Sequence, residues 1–223
     1  MKNMKLLLVT IFGVFACVLH AVILNTPFNF YVYSSAAKII LFVLFPLVCL
    51  RISKDIKLRD LFAPAAEKTG LRLSFLCSGG VFALIISAFI ILRSFLNQEA
   101  ITAALSHNGI TAGNFPLVFI YIVLINAVLE EIFFRGMCFY ALYRAGYKAY
   151  AHIFSSLLFA VYHVAILNNA LSVLMFILCI SVLAVGGLIF NYFVVKCKNI
   201  LGSLIVHISA NLALNLIVLS YLL

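Results

Sequence analysis

Seven apolar runs, at about 4–24, 34–50, 73–96, 116–140, 150–167, 171–194 and 201–222, set the architecture available to this chain. Crossing the hydrocarbon core of a bilayer takes about 20 apolar residues in an α-helix. The runs approach or exceed that length, the second and fifth being the shortest. They predict an all-α fold, a polytopic transmembrane helical bundle of about seven spans. Composition agrees: 66% of the 223 residues are hydrophobic and 9% are charged. Soluble domains carry about 25% charged residues, so the solvent for most of this surface is lipid.

Two polar breaks interrupt the runs. Residues 51–72 are basic, and 97–115 are polar, with Gly109 and Gly113 before Pro116. They suggest a three-span region over 1–115, carrying the basic loop 51–72, and a four-span core over 116–223, joined as one membrane domain. The basic loop reads either as a solvated connection or as a surface helix with Ile52, Ile56, Leu58, Leu61 and Phe62 facing lipid. Cytoplasmic loops collect Lys and Arg. With the N-terminus inside, twelve basic residues fall on the cytoplasmic side and two, Lys38 and Arg93, near the other face. The net charge of +9 is therefore an orientation signal, with some affinity for anionic lipid. It forms no patch interleaved with exposed aromatics, so nucleic acid is not an expected partner.

Lys2 and Lys5 precede an apolar stretch in the manner of a signal peptide. The run to Leu24 is long for one and has no convincing small-residue cleavage site, so a retained first span is expected. The six cysteines are scattered without a C-x-x-C pair and read as small buried hydrophobes.

Six acidic residues remain to be placed. Asp55, Asp60, Glu67 and Glu99 fall in polar loops, whereas Glu130 and Glu131 lie inside the fourth apolar run, in ILINAVLEEIFFRG. A carboxylate at the centre of a membrane helix costs on the order of 3 kcal/mol, and such residues are usually functional. Glu131 and Arg135 are four apart and able to pair, which suggests a structural role. Glu130 points about 100° away, with only Asn126 as a possible partner in its own helix. Such a carboxyl suits a general base or acid.

Two histidines share this depth. His163 follows Phe159 by four residues in the fifth run, and His207 precedes Asn211 by four in the seventh. At 1.5 Å per residue, His207 lies roughly 9 Å from the cytoplasmic end, Asn211 roughly 15 Å, and Glu130 and His163 roughly 15–20 Å. The four could converge in one cavity open to the cytoplasm. His20, His107 and His152 carry no such signal. Asn191 and Asn215 suggest bonds between helices, and Gly186 and Gly187 suggest close helix approach.

In order along the chain, E-E-x-x-x-R (Glu130, Glu131, Arg135), F-x-x-x-H (Phe159, His163) and H-x-x-x-N (His207, Asn211) resemble the CPBP family of intramembrane peptidases. That family includes type II CAAX prenyl endopeptidases and bacterial abortive-infection or bacteriocin-immunity proteins. The resemblance spans roughly 116–215, and Gly186–Asn191 matches a third family region loosely. It implies that Glu130 activates water with help from His163, and that His207 and Asn211 stabilise the oxyanion. Glu131 and Arg135 would then set local charge, with Phe159 packed beside the histidine. The implied substrate is a membrane-associated peptide or protein, lipidated or membrane-inserted. Nothing in the sequence identifies a prenyl pocket, and the compact loops fit a bacterial cell membrane, where prenylated substrates are not expected.

Three other readings fit parts of the pattern. No cofactor is required, but Glu130, His163 and His207 could instead hold zinc with water in the fourth position. Buried Glu and His also serve proton-coupled transporters, although the repeats and broken helices of many transporter folds are not visible here. A non-catalytic role in immunity against a membrane-active peptide is the third.

Overall fold

The computed structural model describes residues 2–26, 31–53, 57–63, 68–167 and 171–222, and these form helices joined by short turns. Two long apolar helices come first, α1 (Lys2–Leu24) and α2 (Tyr31–Ser53). They pack through aromatic contacts, with the Phe12 and Phe45 rings 5.5 Å apart. Pro46 sits inside α2, where packing against neighbouring helices tolerates the lost backbone bond.

The basic connection does not form one surface helix. It contains a four-residue turn, α3 (Leu58–Leu61), before α4 begins. Leu61 is fully buried rather than facing lipid, and its carbonyl accepts from the Ile200 amide at 3.0 Å. Asn199 Nδ2 donates to the Ala63 carbonyl at 2.7 Å. The side chain of Leu61 lies over Gly136, where an added Cβ would come within 2.7 Å of Leu61 Cδ1. The side chains of Ile52 and Ile56 lie outside the described residues.

Next come α4 (Lys68–Leu92) and the short α5 (Gln98–His107). Asn97 caps α5, accepting from the Ala100 amide at 3.0 Å and satisfying an otherwise orphaned N-terminal donor. Part of the second polar break is therefore helical.

The central element is α6 (Phe115–Arg144), the fourth apolar run. It is not uniform: the turns widen to π-helical geometry at Tyr121–Asn126 and again at Glu131–Ala141. Every residue of the second stretch is buried. It packs against α1, α2, α7 (Lys148–Tyr162) and α9 (Val173–Cys197). The last helix, α10 (Leu201–Leu222), runs along α4, where Ser209 Oγ donates to the Ser78 carbonyl at 2.7 Å.

Among the described residues, six helices are long and apolar enough to cross a membrane, and the protein is a multi-pass membrane protein. The fifth predicted span differs from the others. α7 ends at Tyr162 after 15 residues, His163 forms a turn, and α8 (Val164–Leu167) follows. At 1.5 Å per residue, α7 reaches about 22 Å, short of the roughly 30 Å core. Apolar side chains such as Leu76, Leu117 and Val173 cover the outside. The buried ionisable side chains Lys38, Glu130, Glu131, Arg135 and His207 lie within, on or against α6.

Candidate active site

α6 presents Glu130 and Glu131 at the boundary between an α-helical turn, Ala127–Glu130, and the longer π-helical stretch. π-bulges within α-helices are frequent at functional sites. Both carboxylates are buried, and each meets its own set of partners.

Glu130 meets a cation from outside its own helix. Lys38 Nζ, on α2, donates to Glu130 Oε1 at 2.5 Å and also to Asn126 Oδ1. Asn126 Nδ2 in turn donates to Glu130 Oε1 at 3.2 Å. The partner expected from Asn126 is therefore present. Lys38, counted from sequence among the charges near the outer face, is buried within the protein and ion-paired. The other carboxylate oxygen, Oε2, lies 3.4 Å from His207 Nε2.

Glu131 has two partners through one oxygen. Its Oε1 accepts from His207 Nδ1 at 2.9 Å and lies 3.5 Å from Arg135 Nε. The pairing with Arg135 read from the four-residue spacing is present at ion-pair distance. No nitrogen of the guanidinium has a hydrogen-bond partner among the described residues. The guanidinium is held between two rings instead, 4.2 Å from the Phe159 centroid and 4.6 Å from that of Phe190. Aromatic faces attract such a cation most strongly where water is excluded.

His207 thus bridges the two acidic residues. An ionised carboxylate can only accept, so Nδ1 carries a proton toward Glu131. Nε2 is then opposite Glu130, where a proton can pass between imidazole and carboxylate. Phe190 stacks on the imidazole at 5.0 Å between centroids, and Phe159 meets it edge-on at 5.8 Å.

His163 is fixed differently. Its Nδ1 lies 2.7 Å from the Phe159 carbonyl, while its backbone amide donates to Ala160. The ring therefore replaces the amide at the carbonyl that an α-helix would pair with residue 163, and the helix ends there. A carbonyl only accepts, so Nδ1 bears the proton and Nε2 remains an acceptor. Tyr162 connects this histidine to the Glu130 side of the site. Its ring lies 5.0 Å from that of His163, and Lys38 Nζ lies 4.9 Å from its centroid.

Asn211 does not join the carboxylates directly. Its Nδ2 donates to the Ile122 carbonyl at 3.0 Å, in the first π-helical stretch of α6. The structure therefore gathers Glu130, Glu131, Arg135 and His207 into one network. It holds Phe159 and His163 beside that network and places Asn211 against the backbone of the same helix.

Three residues were not singled out from sequence. Lys38 carried a readable signal, a lysine inside the apolar run AAKIILFVLF, which calls for the same attention as an intramembrane glutamate. His20 is buried with its ring 5.4 Å from Tyr162 and 6.0 Å from Phe42, and its Nδ1 has no hydrogen-bond partner among the described residues. Phe190 had no signal of its own beyond its place next to Asn191. Asn191 does bond between helices, through Nδ2 to Ser156 Oγ at 3.1 Å.

Among the described residues, no three His, Cys, Asp or Glu side chains are arranged to hold a metal ion. The Lys38 ammonium rests on Glu130 Oε1, and His207 turns Nδ1 toward Glu131. None of the six cysteines forms a disulfide.

Fold and site together define a multi-pass helical membrane protein with a buried glutamate–histidine centre. Residues 112–213 match the family model for type II CAAX prenyl endopeptidase Rce1-like proteins, so the CPBP membrane-peptidase resemblance carried by the three motifs is borne out at the level of the family. No curated protein and no solved structure matches the chain.

Proposed function

We propose that this protein is a glutamate-type intramembrane endopeptidase that hydrolyses a peptide bond in a membrane-associated peptide or protein. The observation that carries this reading is the Glu130 carboxylate, buried and approached by Lys38, Asn126 and His207 from three directions. The family match supplies the reaction class.

In this mechanism Glu130 takes a proton from water, and the resulting hydroxide attacks the scissile carbonyl carbon. His163 assists through Nε2, the ring nitrogen left as an acceptor by the Phe159 contact. The C=O π bond becomes an oxyanion, toward which His207, as an imidazolium with protons on both ring nitrogens, donates through Nε2–H. Such preorganised donors are worth about 3–4 kcal/mol each in other enzymes. The intermediate collapses, the C–N bond breaks, and the proton held at Glu130 passes to the leaving amine. Asn211 joins the oxyanion site only after releasing the Ile122 carbonyl. Glu131 and Arg135 keep His207 in register. No step passes through a metal.

The excess of basic residues in the N-terminal, 51–72, 144–148 and 196–198 segments supports access from the cytoplasmic side. The test uses the purified protein in detergent with a peptide library containing members with and without a prenylated cysteine. The wild type should cleave a subset, and Glu130→Gln should cleave none. Equal cleavage by both would sink the assignment.

A further inference from the structure

The segment that matches the peptidase family carries an unbalanced charge. Within 112–213, the buried groups of fixed charge at the site are two carboxylates, Glu130 and Glu131, and one cation, Arg135, with the titratable His207 between the carboxylates. Arg135 lies beside Glu131, its own-helix partner at 3.5 Å. Glu130 would be left without a permanent counter-charge in a medium where an unpaired ion is costly. That counter-charge arrives from the other half of the chain, as Lys38 on α2.

The placement of Lys38 is specific. An ammonium offers three donors, and here it reaches Glu130 Oε1 and Asn126 Oδ1 while lying over two aromatic rings, Tyr162 at 4.9 Å and Phe42 at 5.5 Å. Phe42 stacks in turn on Phe133 of α6 at 4.1 Å. These contacts tie α2, α6 and α7 together around one charge. They also select between the two oxygens of Glu130: Oε1 is occupied, and Oε2 is left facing His207.

We propose that Lys38 is the positioning residue of this site, an α2 ammonium that neutralises Glu130 and fixes its carboxylate so that one oxygen alone faces the histidine. The first two helices thereby complete a site that the family-matched segment leaves one permanent charge short. This inference rests on Glu130 acting as the proposed base.

The test combines a stability cycle with kinetics on the full-length protein. Wild type, Lys38→Met, Glu130→Gln and the double variant are compared by thermal unfolding in detergent. Lys38→Met strands a buried carboxylate, so it should unfold several degrees below wild type. The double variant, with no charge to strand, should recover most of that loss. Strictly additive shifts would overturn the pairing, whatever the activity of the wild type. On a peptide that the wild type cleaves, Lys38→Met should lower kcat by about 10²-fold, the scale of a misplaced catalytic group. KM should change by less than about twofold, because Lys38 contacts Glu130 and leaves peptide binding unchanged. Lys38→Arg, which keeps the charge, should recover part of kcat. A Lys38→Met variant with wild-type kcat would overturn the positioning role. A wild type that cleaves no peptide would instead defeat the peptidase reading, and the stability cycle would still decide the pair.

Discussion

His207 Nδ1 lies 2.9 Å from Glu131 Oε1, so the second acidic residue of the E-E pair orients the histidine that faces the first. The two carboxylates are adjacent in sequence and meet opposite edges of one imidazole. Glu131 consequently does more than balance Arg135. It holds the Nδ1 side of His207 and so leaves Nε2 facing Glu130, with the ring stacked on Phe190.

Replacing Glu131 by Gln tests that relationship. The amide is close in shape but can turn an N–H toward His207, which reverses the donor arrangement. The expected outcome is a drop in kcat on the order of 10²-fold, within the range that acid–base groups supply. Thermal stability should fall as well, because Arg135 is buried and would lose its nearby carboxylate. Steady-state kinetics on a cleaved peptide, with unfolding followed in parallel, would read both. Unchanged kcat would show that the Glu131 contact is not needed to orient His207.

The two adjacent glycines of α9 are not equivalent. A Cβ on Gly187 would stand 2.9 Å from Ser156 Cα, whereas one on Gly186 would meet nothing within 4 Å. Gly187→Ala should destabilise by about 1–3 kcal/mol, as overpacking of a tight contact does. It should also lower activity, because α7 carries Phe159 and leads directly into His163. Gly186→Ala should stay within about 0.5 kcal/mol of wild type. Thermal unfolding of both variants in the same detergent would separate them.

Removal of metal is the third measurement. The purified protein would be stripped with a strong chelator, its zinc content measured, and its peptide cleavage assayed. Because the Lys38 ammonium rests on Glu130 and His207 Nδ1 is turned to Glu131, cleavage should persist. Loss of cleavage that zinc alone restored would replace the present mechanism with the zinc-dependent one.

Much of this protein was legible in its sequence because the bilayer imposes simple rules on it. Apolar runs long enough to span reveal the helices, and a carboxylate within one is costly enough to mark a site. Glu130, Glu131, Arg135, Phe159, His163, His207 and Asn211 all came from that reasoning together with the motif order. The four-residue spacing of Glu131 and Arg135 also anticipated their proximity, even though the turns there are π-helical. The break in the fifth span was less legible. It depends on the His163 ring taking a carbonyl from its own helix, a competition that hydropathy does not register.

Sequence by itself determined the bundle, the buried carboxylates and the list of groups able to do acid–base chemistry, since each follows from the cost of placing a polar atom in lipid. Only the tertiary structure decided who partners whom. Lys38 and Glu130 are 92 positions apart, and His207 and Glu131 are 76 apart. Pairings at such separations depend on how helices pack, which no local spacing encodes. The same packing sends the Asn211 amide to the Ile122 carbonyl and sandwiches Arg135 between Phe159 and Phe190. Spacing already placed Arg135 beside Glu131, and packing then supplied Glu130 with Lys38.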